Sequence, residues 1–331
     1  MKRRPALAAL GLAGVRLLGQ RLAAAPTKQV NSDLRDSLMQ STTDSLRDKL
    51  HRIVNRPAFS GHIPADEVRR LVKDEATTVE ALMIELLPLA RTYARPPLSD
   101  FHVGAVVRGA SGSLYLGANI EIPGHALGLS VHAEQAALSN AYMHDEQGVA
   151  AIAVTAAPCG HCRQFMNELS PEGEIQVLVG RNTATRLSSL LPMAFGPKDL
   201  GLKQGAFPVS QVELALPNGV SDDLTIAALG AAKKSYAPYT KAHSGVAILT
   251  KEGRLYRGSY LENAAFNPSL SPFQTAFVAL ILAGEKSSEI SRVVLVEVEG
   301  APISQKSVTE AALSAVAPGA KLRLLAATKK A

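Results

Sequence analysis

Cysteine is nearly absent from these 331 residues: there are two, three apart, at Cys159 and Cys162. No disulfide framework can form without consuming that pair, which points to a reducing compartment and argues against export. Acidic residues are missing from positions 1–32, where Lys2, Arg3, Arg4, Arg16, Arg21 and Lys28 stand. That tail therefore carries the whole net charge of +6, and the remaining 29 basic residues balance 29 acidic ones. A polyanion-binding body needs a basic excess outside the tail, so no stable nucleic acid partner is expected. Long apolar runs are lacking too. Ala6 to Val15 is stopped by Arg16 and is too short to cross a bilayer, so no membrane association is expected. The Ala/Leu/Arg composition of the tail fits an organellar transit peptide, although it is poor in Ser, and fits a disordered extension equally. The expected location is cytoplasmic, with an organellar (mitochondrial) one as the alternative.

What is present is a globular composition, 47% hydrophobic and 19% charged, in a chain long enough for two ordinary domains. The cysteines stand in Pro158-Cys159-Gly160-His161-Cys162, and 23 residues before that motif lies His132-Ala133-Glu134. Two thiolates and one imidazole are the number of ligands a catalytic zinc takes while keeping its fourth position open. Glu134 follows His132 by two, about 200° around a helix, so a shared pocket requires His132 to open the helix. A redox pair would leave the His-Ala-Glu triplet unexplained, and a closed structural zinc site would need a fourth ligand that the motif does not contain.

Residues 66–94 have helical spacing, started by Pro64 and Asp66 and renewed by Thr77 or Thr78 as a cap. A hairpin is predicted from 103–107 and 114–119 around Gly109 to Gly112. A helix from about His132 to Tyr142, an apolar strand over 150–156, a helix opening at Cys159 or Gly160, and a strand over 175–179 follow. Alternating strands and helices imply an α/β layered domain with part of its sheet parallel. Pro and Gly punctuate 196–219, which reads as a linker, and Asp222 and Asp223 open another helix.

The organisation then repeats. Positions 141 apart pair Pro97 with Pro238, His102 with His243, Gly104 with Gly245, Gly112 with Gly253, Leu114 with Leu255, Tyr115 with Tyr256, Gly117 with Gly258 and Glu121 with Glu262. After a two-residue slip, Ser271-Pro272-Phe273-Gln274 replaces His132-Ala133-Glu134-Gln135, and no cysteine follows. The second copy is therefore expected to keep the fold without the metal. The expected division is a basic tail (1–32), a helical lead-in (33–95), a zinc domain (96–195), a linker (196–220) and a degenerate second domain (221–331).

Phe101-His102-Val103-Gly104-Ala105, Gly117-Ala118-Asn119-Ile120-Glu121, the His-Ala-Glu-Gln segment and Pro158 to Phe165 together resemble the cytidine deaminase family, in its two-domain, homodimeric bacterial and plant form. His-x-Glu followed by Pro-Cys-x-x-Cys is the signature of zinc nucleobase deaminases. The resemblance implies a duplicated three-layer α/β fold with a mixed sheet, preceded by a small helical segment. It implies Zn2+ held by His132, Cys159 and Cys162, with Glu134 as proton shuttle. It further implies substrate contacts from Phe101, Asn119, Glu121, Ala133 and Phe195, a homodimer, and Phe266 reaching toward the partner's site. The implied reaction is hydrolysis of free cytidine and deoxycytidine to uridine and deoxyuridine plus ammonia, in pyrimidine salvage.

The residues themselves leave some roles open. Asn119 and Glu121 suit a sugar, but a solvated strand-end turn would use them too, and Glu262 survives in the copy that lacks the rest of the set. Phe101 is either a core aromatic or a pocket wall; its replacement by Ala242 favours the pocket. His102, kept in both copies as His243, reads as a fold residue. Ala156 stands where close bacterial relatives are expected to have an aromatic, so pocket shape is expected to differ there. Two alternatives remain: a deaminase of single-stranded polynucleotide, and a non-catalytic zinc protein, for which Glu134 would have no use.

Overall fold

Strands that are apolar at every position belong to sheets covered on both faces. In the computed structural model, which describes residues 43–56, 59–169, 174–217 and 222–329, the central strands of both sheets are of that kind, and some of the outer strands are exposed. The first contains β1 (His62–Ile63), β2 (Gly104–Gly109), β3 (Leu114–Ala118), β4 (Val149–Val154), β5 (Gln176–Val179) and β6 (Thr185–Arg186), in the order β1-β3-β2-β4-β5-β6. Only β4 and β5 run parallel. On β2, Ala105 and Val107 face the centre of the molecule and Val106 the outside; on β4, Ile152 and Val154 face in, Ala151 and Ala153 out. Helices Asp44–Val54, Ala65–Asp74, Val79–Glu85 and Leu87–Arg91 cover the outer face through Leu50, Leu71, Met83 and Leu87. Thr78 caps the third of them by accepting from the Ala81 N–H, and Pro88 stands in the first turn of the fourth, so the expected second helix is two short ones.

The second sheet contains β7 (Leu214–Ala215), β8 (Ser244–Thr250), β9 (Leu255–Ser259), β10 (Ile290–Val298) and β11 (Lys321–Lys329), in the order β7-β11-β10-β8-β9. Its one parallel pair is β10 with β11. This repeats β6-β5-β4-β2-β3, so the sequence duplication is a duplication in space. Val246, Ile248, Val293 and Leu295 face the centre; Ala247, Val294 and Val296 face helix Asp223–Lys233 on the far side. Between the sheets lie helices Ala133–Met143, Gly160–Leu169, Pro272–Leu282 and Lys306–Val316, which share one apolar core. Among the described residues, no helix is long and apolar enough to cross a membrane.

Among the glycines retained at the repeat, Gly117 and Gly258 are contact points. A Cβ on Gly117 would stand 2.1 Å from the Ala137 nitrogen, and one on Gly258 2.1 Å from the Ala276 nitrogen, so only hydrogen lets each middle helix lie on its strand. The two halves meet about a local pseudo-twofold. Gln135 accepts from the His132 N–H and donates to the Pro268 carbonyl, while Gln274 accepts from the Ser271 N–H and donates to the Leu129 carbonyl.

Two boundaries differ from a reading of helices and linkers. The lead-in supplies β1, which pairs antiparallel with β3, and the stretch 196–220 supplies β7, which pairs with β11. Strands of two residues show no periodicity, and their partners are remote in sequence. The basic tail lies outside the described residues.

Candidate active site

His132 caps helix Ala133–Met143 in an extended backbone conformation, Cys159 precedes helix Gly160–Leu169, and Cys162 stands in its first turn. Two helix N-termini, each tending to favour negative charge, thus meet at one point. His132 Nδ1 lies 3.5 Å from Cys159 Sγ and 3.3 Å from Cys162 Sγ, and the two sulfurs are 3.7 Å apart. Tetrahedral zinc with ordinary bond lengths separates two sulfurs by about 3.8 Å, and sulfur from nitrogen by about 3.6 Å. The three ligand atoms therefore fit that ion without rearrangement, and no other such cluster of His, Cys, Asp or Glu occurs among the described residues. The sulfurs are far beyond the roughly 2.05 Å of a disulfide, and both thiols are free. Hydrogen bonding from Cys162 and from backbone N–H groups at the helix start pulls the Cys159 thiol down to about 4. The Cys162 proton is retained in that pair, and a coordinating cation would displace it.

Glu134 is 4% exposed beside these ligands, and burial pushes its carboxyl above the usual carboxylate range. Placing His132 at the cap resolves the angular problem posed by a two-residue spacing. Ala133, the first residue of the helix, is fully buried. The His161 ring is tilted against that of His132, 5.7 Å between centroids, outside the ligand cluster. Arg163 was not marked by its sequence position, yet it fixes the cysteine loop by donating to the carbonyls of Pro158 and Leu190.

Phe101 is 60% exposed at the surface, which removes the core reading, while its counterpart Ala242 is buried. Asn119 clips the backbone next to that ring: its amide accepts from the Val103 N–H and donates to the Phe101 carbonyl, both at 2.8 Å. Glu121 accepts from the N–H groups of Leu98 and Ser99 and from the Ser99 hydroxyl. Burial opposes its ionisation, but these donors hold the carboxyl below the usual range. Glu262 repeats the pattern 141 positions later, accepting from the N–H groups of Tyr239 and Thr240 and from the Thr240 hydroxyl. The carboxylate thus has a structural task in both copies. His243 is buried against Ser235, as a fold residue should be, whereas the His102 ring, more exposed, meets the Asp100 carbonyl and, more distantly, its carboxylate. The Phe195 carbonyl accepts from Gln164 and Asn167 on the zinc helix, with the ring half exposed. Phe266 lies outside the cluster, on a turn of the second copy.

The family description "Cytidine and deoxycytidylate deaminase zinc-binding region" matches twice, over residues 77–178 and 187–310. A cytidine deaminase of Vibrio vulnificus (strain YJ016) is 42% identical over 283 residues, covering 86% of this chain and 95% of that protein. The chain belongs to the cytidine deaminase family. A cytidine deaminase of Shewanella sp. (strain MR-4) is 45% identical over 259 residues, covering 78% of this chain and 87% of that one. Among solved structures, the cytidine deaminase of Mycobacterium tuberculosis is 28% identical, with a TM-score of 0.33, covering 35% of this chain and 97% of that chain. The duplicated α/β architecture and the zinc requirement expected from the sequence are those of the family, and the ligand cluster of this chain suits the ion.

Proposed function

We propose that the chain hydrolyses cytidine and deoxycytidine to uridine and deoxyuridine plus ammonia, in pyrimidine salvage, at the single site formed by His132, Cys159, Cys162 and Glu134. The observation that carries this reading is a buried, non-ligating carboxylate beside a three-ligand cluster of tetrahedral spacing. Zinc held there by His132, Cys159 and Cys162 would supply the Lewis acidity that makes hydroxide available from water near neutral pH. Glu134, its proton affinity raised by burial, accepts the proton that water gives up and passes it to N3 of the pyrimidine. Hydroxide adds at C4, the carboxylate then takes the proton of the new C4 hydroxyl and delivers it to the amine, and the C4–N bond breaks as the carbonyl forms, so that water and cytidine become uridine and ammonia.

Phe101 and Phe195 offer exposed rings for the base, and the Ala133 backbone lies between the histidine and the acid. Asn119 and Glu121 retain hydrogen-bonding capacity beyond the loop contacts they make: one amide N–H and free carboxylate lone pairs, suited to sugar hydroxyls. The zinc-free copy, 221–331, acts as scaffold, joined to the zinc domain (96–195) through 196–220 and preceded by the lead-in 33–95. Exposed Leu98, Phe101, Leu127, Met193, Phe195 and Phe266 support a homodimer in which Phe266 closes the partner's site. The two free thiols support a cytoplasmic, reducing location. Turnover of cytidine compared with a single-stranded oligonucleotide tests the substrate; activity on the oligonucleotide alone overturns the reading. Light scattering should give about twice 34.9 kDa, and a monomer overturns the dimer.

A further inference from the structure

Some contacts between the two halves come in reciprocal pairs, as with Gln135 and Gln274, and others run one way, among them Tyr142 with Lys234 and the three bonds of one buried carboxylate. Glu168, near the end of the helix that carries Cys162, is fully buried. Its Oε1 accepts from the hydroxyls of Tyr236 (2.8 Å) and Tyr239 (2.6 Å), and its Oε2 from the Ala264 N–H (2.8 Å), all three in the zinc-free copy. The positions 141 residues before the tyrosines hold Arg95 and Leu98, so the zinc domain has no matching pair to offer in return. A buried carboxylate held by neutral donors alone is costly to keep unless its position matters.

One turn earlier on the same helix face, Gln164 shares hydrogen bonds with Asn263: its carbonyl accepts from the Asn263 amide at 3.2 Å, and its own amide donates to Asn263 Oδ1 at 3.4 Å. The same Gln164 amide donates to the Phe195 carbonyl at 2.7 Å. The turn so anchored, 263–267, contains Phe266, which has φ +59° and is 62% exposed. A left-handed backbone conformation is unfavourable for a bulky residue and persists only where its surroundings impose it.

We propose that Glu168 is a positioning residue, by which the zinc helix holds the turn 263–267 of the zinc-free copy and so fixes Phe266 as an aromatic wall for the nucleoside. The inference rests on the reading of Phe266 as a substrate-side residue. The one-way contact then has a purpose: there is one metal site, and the cysteine-free copy supplies a wall rather than a ligand.

The test is steady-state kinetics with cytidine on the zinc-loaded full chain for Glu168→Gln and Phe266→Ala, singly and together. In Glu168→Gln the amide oxygen can keep both tyrosines, but an NH2 group faces the Ala264 N–H, donor against donor, and the turn is released. KM should rise on the order of tenfold, with kcat within about threefold of the parent, the pattern of lost binding rather than lost chemistry. The double variant should be no worse than Phe266→Ala alone. A raised KM in Phe266→Ala with an unchanged KM in Glu168→Gln overturns the proposal alone, and so does a loss of kcat at constant KM. An unchanged KM in Phe266→Ala overturns the reading beneath it. If Glu168→Gln fails to fold, Tyr239→Phe removes one of the three donors and should raise KM in the same direction; a parental KM there overturns the proposal.

Discussion

Glu121 and Glu262 make nearly the same hydrogen bonds, one in the copy that carries the metal ligands and one in the copy without them, so the pair separates structural from substrate roles. Each carboxylate accepts two backbone N–H groups and a Ser or Thr hydroxyl, and Glu262 receives the Tyr260 hydroxyl as well, at 3.5 Å. In a Glu→Gln change the amide oxygen can keep the two N–H donors, while the hydroxyl rotates to accept from the NH2 group. What is lost is the charge on the acceptor, which weakens each bond; about 1 kcal/mol at half-buried Glu121 and about 2 kcal/mol at Glu262, which is 1% exposed, is the expected cost. Stability therefore ranks Glu262→Gln as the more damaging change. Activity should rank them the other way. A sugar hydroxyl donating to the Glu121 carboxylate is worth about 1.5–3 kcal/mol, so Glu121→Gln should lower kcat/KM by about 10- to 150-fold. Glu262→Gln should lower it by less than about threefold, since no substrate contact is lost. Urea midpoints and the absorbance change on conversion of cytidine to uridine measure the two quantities. If the activity losses follow the stability losses, Glu121 is a strut of the 98–103 loop and not a sugar ligand.

Glu134→Ala should keep zinc and fold while lowering turnover by about two to four orders of magnitude, checked by metal analysis beside the rate assay; near-parental turnover refutes the proton-shuttle role. Metal analysis of the parent should return one zinc per chain, and removal by a chelator should abolish activity reversibly; two per chain would contradict a metal-free second copy. His62, stacked on Tyr115 at 4.8 Å, is driven down to about 4 by burial and then by the neighbouring His144. The unfolded histidine, near 6.5, binds its proton first, so stability should fall as pH drops from about 6.5 and level off below about 4. Discounted for the part of the ring open to solvent, the loss is about 1–2 kcal/mol, and His62→Phe should flatten that part of the urea-midpoint profile against pH; an unchanged slope sinks the assignment.

The sequence carried the repeat and the ligand set because both depend on local pattern. The 141-residue offset survives as paired bridges, Arg95 with Ile120 and Tyr236 with Leu261, and the retained Gly117 and Gly258 stand where a Cβ would strike a helix backbone. His132, Cys159 and Cys162 converge because motif spacing and helix starts already determine the first turn of two helices. The struts are less legible. Nothing near Asn119 in sequence says that its amide is committed to Phe101 and Val103, and nothing near Glu168 indicates two tyrosines 68 and 71 residues away. Such bonds depend on which elements the fold brings together, and a side chain's capacity to bond does not name its partner.

Loss of metal from one copy has a structural consequence. In the zinc domain His132 both caps its helix and offers Nδ1 to the ion, so the helix start is tied to the site. In the other copy Ser271 takes the cap, accepting from the Gln274 N–H, and Pro272 occupies the first turn, a helix start that needs no ion. Phe273, standing where Glu134 would be, is fully buried and stacks on Phe277, filling with apolar surface the place of the acid. The second copy is thus rebuilt around a hydrophobic helix start rather than left as an emptied site. A helix that is rigid without metal can then serve as a fixed surface, and the reciprocal contacts of Gln135 and Gln274 connect it to the helix bearing Glu134. Restoring ligands there one at a time would leave a polar group in an apolar core before any ion could bind, which gives the asymmetry between the copies a physical reason to persist.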